Sequence, residues 1–456
     1  MKLHILVLPL SLFFLINLHV MSQETNNGPR PNVLIIYTDD QGTVDINALG
    51  SKDLYTPNMD AIVDSGVAFT QFYASPTCSP SRASLLTGKN PQRADCGGNA
   101  GHDNKSQKGL PGKEFTMAEM FKTADYETII LGKWHLGYQP DMLPNEQGFD
   151  YFFGHLSGCI DNYSHFYYWG GENRHSLLRN NKEVFMDGQF FPDLMVQEAS
   201  KFLENKTDKP FFMYYSMNTP HYPYQGEEKW LKYYREKGVA YPRDLYAAFL
   251  STHDERIGSL LKKLKEKGLM ENTIIIFQSD NGHSTEERAH FGGGSAGPYR
   301  GAKQCLFEGG IRVPAVISWP GKIAVGEKRN QFAVNTDWLP TLAELCQINL
   351  DTSNLDGKSL VPIIKNKMAE TAHDSYCWQY KNMWVARMGK WKLLGNPEDT
   401  SNRGYIFKEK RFLVNLEDDP GEKENLYDRY PEISELLENQ YNSWLEKNAT
   451  MDNKTD

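Results

Sequence analysis

Cysteine is scarce in this chain. Six residues, Cys78, Cys96, Cys159, Cys305, Cys346 and Cys377, are spread over 456 positions without a C-x-x-C pair. That spacing excludes a small disulfide-framework fold and leaves room for one or two bridges in an exported chain. Basic side chains are outnumbered, 49 against 58 acidic ones, for a formal net charge of −9. Such a balance argues against a nucleic-acid partner, which would be held by neutralising phosphates; it is an ordinary solubility charge. No apolar run beyond residue 22 is long enough to span a bilayer. Internal repeats and low-complexity segments are absent, so no repeat array organises the chain.

What is present begins with an apolar run from Leu3 to Val20, preceded by Met1-Lys2 and followed by Met21-Ser22 and polar Gln23. One positive charge, an apolar centre and a small residue at its end predict a secretory signal peptide over 1–22. A membrane anchor is the alternative, weakened by the interruptions His4, Asn17 and His19. No cysteine stands at the cleavage point, which disfavours a lipoprotein. The expectation is an exported protein, periplasmic or secreted, with no stable membrane span. Asn-x-Ser/Thr triplets at Asn162, Asn205, Asn448 and Asn453 are chance matches if the source is bacterial. The remaining length is ample for a large core, read as a catalytic domain over 23–370 and a smaller C-terminal subdomain over 371–456.

Short continuous apolar runs at 33–37, 128–131, 211–215, 273–277 and 313–317 read as buried strands, and 116–123 and 244–266 as helices. Strands buried on both faces and separated by helices predict an α/β fold with a large, mostly parallel sheet sandwiched by helices. Residues 337–342 are read as the last large-domain helix. Residues 383–394 and 405–416 are read as a small antiparallel sheet of an α+β subdomain, 432–446 as its closing helix, and 448–456 as a mobile polar tail. Ligands bind beyond the carboxyl ends of parallel strands, and polar residues collect there: Asp39 and Asp40, Lys133 and His135, His221, Asp280 and Asn281.

Four constellations and one short motif carry the chemistry. Asp39, Asp40, Asp280 and Asn281 form a hard-oxygen ligand set from two strand ends, suited to Ca²⁺ or Mg²⁺ rather than zinc; either pair alone could be turn formers or helix caps. Lys133 and His135, two apart after a strand, offer anion binding and proton transfer. His221 sits between Pro220 and Pro223. Lys303 is reached through Arg300-Gly301-Ala302, and the segment continues through Glu308-Gly309-Gly310 to Arg312-Val313-Pro314. The motif is Cys78-Ser79-Pro80-Ser81-Arg82, opening a helix-like run that Gly88 closes. A helix entrance favours an anion beside Cys78, and Pro80 suits the first helical turn.

The spacing C-x-P-x-R resembles the motif by which sulfatases have a cysteine oxidised to formylglycine. With the other four segments, the chain resembles a formylglycine-dependent type I sulfatase of the alkaline-phosphatase-like superfamily from Asn32 to about Leu426. The resemblance implies that a formylglycine-generating or anaerobic maturase enzyme converts Cys78 to formylglycine (3-oxoalanine), present as its hydrate. Asp39, Asp40, Asp280, Asn281 and the modified residue would bind Ca²⁺. Arg82 would hold the hydrate's alkoxide, Lys133 and Lys303 the sulfate oxygens. A hydrate hydroxyl would attack sulfur, His221 with Lys303 would protonate the leaving sugar oxygen, and His135 would be the base as the aldehyde reforms. Two departures touch the pocket rim: Gln304-Cys305 after Lys303, where small polar residues are usual, and a loop over 87–93 without the family's frequent histidine.

The insert Tyr163, His165, Phe166, Tyr167, Tyr168 and Trp169 is dense in aromatics, which pack on sugar rings or on one another. His165, His175, Arg288 and His290 are read as residues contacting sugar hydroxyls or carboxylates. The expected substrate is a sulfated algal polysaccharide or its oligosaccharides, of ulvan or carrageenan type. Glycosaminoglycan sulfatase, phosphonate monoester or phosphodiester hydrolase, and a silent sugar-binding protein are the alternatives.

Overall fold

The computed structural model describes residues 29–103, 105–168, 172–402 and 404–452. The expected signal peptide lies outside the described residues, as does Trp169. Among the described residues a ten-stranded sheet runs in the order Glu327–Arg329, Val67–Phe69, Ala315–Ser318, Thr273–Ser279, Asn32–Thr38, Phe211–Ser216, Glu127–Lys133, Tyr151–His155, Leu178–Arg179, Lys182–Glu183. Its five central strands, Thr273–Ser279 through Tyr151–His155, are mutually parallel. Ala315–Ser318 pairs antiparallel to its neighbours, as does Leu178–Arg179 at the other flank.

Alternation along the strand Asn32–Thr38 explains the layering. Val33, Ile35 and Tyr37 enter one core, Leu34 and Ile36 the other, because successive side chains leave opposite faces of a sheet. The first core is closed by the helices Cys78–Thr87, Met117–Thr123 and Trp338–Leu345. The second is closed by Pro57–Asp64, Phe191–Asn205 and Arg243–Glu266. Thr116 begins its helix with a capping box to Glu119.

Residues 31–456 form one unit that holds both sheets. The 370/371 boundary falls between the helix Val361–Lys365, which follows the helix expected to be last, and the strand Ser375–Tyr380, which the sequence reading left out. That strand pairs with Met383–Met388, followed by Trp391–Gly395 and Arg411–Asn415, all antiparallel. Residues 405–410 are not strand, and only the end of the segment 405–416 joins the sheet. One face of this sheet meets Tyr73, Phe307 and Ile311 of the large unit. The other packs on the helix Pro431–Asp452, where the rings of Trp384 and Tyr441 stack at 4.2 Å. The helix continues through most of the expected polar tail. No helix among the described residues is long and apolar enough to cross a membrane.

All six cysteines are buried and unbridged. The room left for disulfides is not used: five of the thiols pack among apolar side chains as small core residues, and Cys78 bonds Asp39. Asn162 is also buried, bonded to Gln225 and Asn218.

Candidate active site

Strand order brings the distant polar residues together. Thr38 lies beside Ser279, Tyr37 beside Ser216, and Ser216 beside Gly132. The residues that follow these strand ends therefore share one edge. Asp40 takes a left-handed backbone, φ 61°, and its N–H donates to Asp280 Oδ1 at 3.1 Å. Asn281 Nδ2 donates to Asp40 Oδ1 at 2.7 Å. Gly282 allows the turn to pass: a Cβ there would stand 1.9 Å from the Gly309 carbonyl oxygen.

Cys78 is the first residue of a fully buried helix, Cys78–Thr87, ended by Gly88 at φ 65°. Its Sγ donates to Asp39 Oδ1 at 3.4 Å. Ser79 Oγ anchors the helix entrance by donating to the His135 carbonyl, 2.7 Å, and accepting from the Ala100 N–H. Arg82 NH2 pairs with Asp280 at 2.9 Å, and the guanidinium lies over the Tyr37 ring. Lys133 Nζ reaches Asp39 Oδ2 at 2.6 Å, and Lys303 Nζ reaches Asp40 Oδ2 at 2.9 Å. The donor atoms of Asp39, Asp40, Cys78 and Asp280 all lie within 4.8 Å of one another.

His221 stands between two cis X-Pro bonds, Thr219–Pro220 and Tyr222–Pro223. Its Nδ1 bonds the Tyr222 carbonyl at 2.7 Å, so Nδ1 carries the hydrogen and Nε2 faces Asp40 Oδ2 at 3.5 Å. His135 has φ 53° and packs on Gly158, where a Cβ would come within 2.9 Å of the ring.

The electrostatics follow from burial and pairing. Burial raises Asp39, but Lys133 and Arg82 outweigh it and its carboxyl is held low. Asp40 and Asp280 are pushed up by burial and by the neighbouring carboxylates. Burial drives the Cys78 thiol well up, with Asp280 adding to it. His135 and His221 are driven well down by burial and then by the nearby lysines.

Part of this cluster lines a cavity of about 180 Å³. Cys78, His135, His221 and Lys303 face it, and so does Arg288. The other three residues expected to read sugar do not. His165 is fully buried behind the cavity wall and bonded to the Gln189 carbonyl, and His175 is bonded to Glu183 and stacked on Phe185. His290 bonds the exposed Tyr241 hydroxyl. His175 pairs with Phe166 in a short hairpin of Phe166–Tyr167 with Arg174–His175, which His165 precedes. The sequence reading missed Asn99, His102, Tyr222 and Glu286 as cavity residues. Glu286 could have been found from its place in the loop that follows Asp280-Asn281.

Residues 31–348 match the family model Sulfatase, and residues 300–448 match the model N-sulphoglucosamine sulphohydrolase, C-terminal. The chain is 32% identical to Arylsulfatase A of Bos taurus over 444 residues, covering 89% of this chain and 85% of the relative. It is 32% identical to N-acetylgalactosamine-6-sulfatase of Rattus norvegicus, covering 73% and 65%. The solved structure of Ps i-CgsB in complex with k-i-k-neocarrahexaose superposes with a TM-score of 0.81 at 28% identity, covering 91% of this chain and 92% of the other. With a family model matching from the first central strand through the last large-unit helices, the chain belongs to the sulfatase family and is a sulfuric ester hydrolase.

Proposed function

We propose that the protein removes sulfate from a sulfated oligo- or polysaccharide of carrageenan or ulvan type, using Cys78 matured to formylglycine and a Ca²⁺ ion. The observation that carries this reading is the convergence of Cys78, three carboxylates and three cations at the carboxyl edge of the sheet, where Cys78 and Lys303 line one small cavity. The donor set fits a hard cation. Asp39, Asp40 and Asp280 are buried together, and the buried Asn281 Oδ1 has no hydrogen-bond partner. These four side chains, with residue 78, would hold the ion. When bound it would polarise a sulfate oxygen and offset the charge that develops at sulfur.

The chain's own residues supply the rest. A formylglycine hydrate at position 78 offers one hydroxyl as nucleophile and a second whose deprotonation lets the aldehyde reform, which a thiol cannot do. Arg82, held by Asp280 and the Ser216 hydroxyl, orients the oxygen on residue 78. Lys133 and Lys303 bind sulfate oxygens. His221 Nε2 protonates the leaving sugar oxygen, and His135 accepts the hydrate's proton. Both imidazoles are held neutral by burial beside lysines; an anionic ester in the cavity favours their protonated forms. Cys78 is 1% exposed, so its maturing enzyme acts before the chain folds. An apolar run at 3–20 supports export to the periplasm or beyond.

A carbohydrate substrate is supported by Tyr167, Tyr222, Arg288 and Glu286 around the cavity, which offer ring faces and polar groups to a sugar. It is also supported by the neocarrahexaose complex of the structural relative. The cavity, about 180 Å³, has room for the sulfated ring at the reacting centre. The test is sulfate release, read by ion chromatography, from carrageenan, ulvan and glycosaminoglycans before and after lyase or hydrolase digestion. The protein used must show formylglycine in the mass of its Cys78 peptide. Release from carrageenan or ulvan fragments is expected; release from glycosaminoglycans alone would reassign the sugar. No release from any of them would overturn the carbohydrate reading.

A further inference from the structure

We infer that His165, His175 and Asp187 form a second metal site, for a transition-metal dication of the zinc class, separate from the catalytic cavity. One imidazole nitrogen from each histidine and a carboxylate oxygen of Asp187 lie within 4.8 Å of one another. His175 Nε2 is 4.0 Å from Asp187 Oδ1. His165 is fully buried and the His175 side chain is 5% exposed.

The hydrogen bonds fix which nitrogens are free to ligate. His165 Nε2 lies 3.0 Å from the Gln189 carbonyl oxygen, an acceptor, so Nε2 carries the hydrogen and Nδ1 the lone pair. His175 Nδ1 lies 2.9 Å from Glu183 Oε1, so the lone pair is on Nε2. Those two lone-pair nitrogens, His165 Nδ1 and His175 Nε2, are buried without a hydrogen-bond partner. Each histidine therefore leaves one buried acceptor unspent, in a trio whose ligand atoms lie close enough to share one ion. A cation satisfies all three at once. Each histidine also has the outer partner, a carbonyl or a carboxylate, that orients metal-bound imidazoles.

Two imidazoles and one carboxylate suit Zn²⁺ or Co²⁺, whereas the oxygen-rich catalytic set suits Ca²⁺. Asp187 is 65% exposed, which leaves a further coordination position open to water. The ion would tie the hairpin of Phe166–Tyr167 and Arg174–His175 to the chain entering the helix Phe191–Asn205. Tyr167, on that hairpin, lines the catalytic cavity. The site thus pins one wall of the cavity without touching the reacting atoms.

The test uses the full chain carrying Cys78→Ala, stripped by chelator and then saturated with Ca²⁺, so that neither the thiol nor the catalytic carboxylates take up the probe. Zn²⁺ is titrated by equilibrium dialysis and Co²⁺ by its visible absorption. One equivalent is expected, with a rise in Tm. Glu183→Gln should weaken binding about 10–100-fold, and Asp187→Asn and His175→Gln by more. Asp187 is exposed, so its variant reports even if the His175 variant fails to fold. Uptake undiminished in Asp187→Asn, or no uptake by the Cys78→Ala chain, would overturn the proposal.

Discussion

Two buried clusters of acids and bases sit in this molecule. At the carboxyl edge of the large sheet, Asp39, Asp40 and Asp280 face Arg82, Lys133 and Lys303. Where the C-terminal sheet packs on the large unit, Glu308 and Glu422 face Lys392 and Arg312. In the second cluster every carboxylate oxygen has a hydrogen bond or an ion pair, Glu422 Oε1 through its ion pair with Lys392 alone. Glu308 takes Lys392 at 2.9 Å, the Tyr73 hydroxyl at 2.7 Å and Arg312 at 3.2 Å. Glu422 takes Lys392 at 2.8 Å and the Glu308 N–H at 2.6 Å. None of these four residues lines the catalytic cavity. In the first cluster Asn281 Oδ1 and His135 Nδ1 lack partners, and Lys303 and His135 line the cavity. Buried charge by itself therefore marks no active site. Unspent acceptors beside a cavity do.

The sharpest way to separate the clusters is to remove one member of each and measure turnover and stability together. Cys78→Ala should lower sulfate release on the order of 10⁶-fold, the scale of losing a nucleophile, with a Tm close to that of the parent. Retained turnover would sink the catalytic assignment. His221→Ala should lower kcat by about 10²–10⁴-fold on a sugar sulfate, the range for a general acid. The loss should shrink on a nitrophenyl sulfate, whose leaving group needs no proton; an equal loss on both substrates would deny the acid role.

Lys392→Met should act the other way round. It leaves two buried carboxylates without their shared cation, a loss of about 3–5 kcal/mol. Urea unfolding would show it, while kcat per folded molecule stays unchanged.

The smallest effect concerns pH. Burial, with Glu308 beside it, raises Glu422 from 4.5 to about 7, whereas Lys392 and Arg312 overcome burial and hold Glu308 down near 2. A raised carboxyl contributes stability below its unfolded value and loses it as pH rises through its folded value; a lowered one loses its contribution as pH falls. The pair titrates as a unit. Tm should therefore decline between about pH 5 and 8 through Glu422, and Glu422→Gln should flatten that decline relative to the parent. Parallel curves would show that Glu422 is ionised throughout.

Much of this was legible in the residues. Continuous apolar runs located four of the five central strands, and the antiparallel Ala315–Ser318, to within two residues at each end, but passed over Tyr151–His155. The latter begins Tyr-Phe-Phe but ends Gly-His, too short and mixed a run to declare itself. Ser375–Tyr380 was hidden for a similar reason, since its apolar residues are interrupted by serine and glutamine. The histidines at 165 and 175 read as sugar contacts because chain distance from a strand end says nothing of which way a hairpin folds. Glu308 sat in a segment valued for Lys303, yet its cation Lys392 comes from the C-terminal sheet.

The sequence by itself determined the local events: where apolar periodicity makes a strand or a helix, where Thr116 and Gly88 bound helices, and which strand ends carry acids. Those depend on interactions within a few residues of each other. The tertiary structure decided which of those ends meet. Asp40 and Asn281 are 241 positions apart and bonded at 2.7 Å because Asn32–Thr38 and Thr273–Ser279 are neighbours in the sheet. Strand order also divided the buried charges into one cluster that neutralises itself and one that leaves acceptors facing a cavity, a distinction set by distances across the fold that no window of sequence contains.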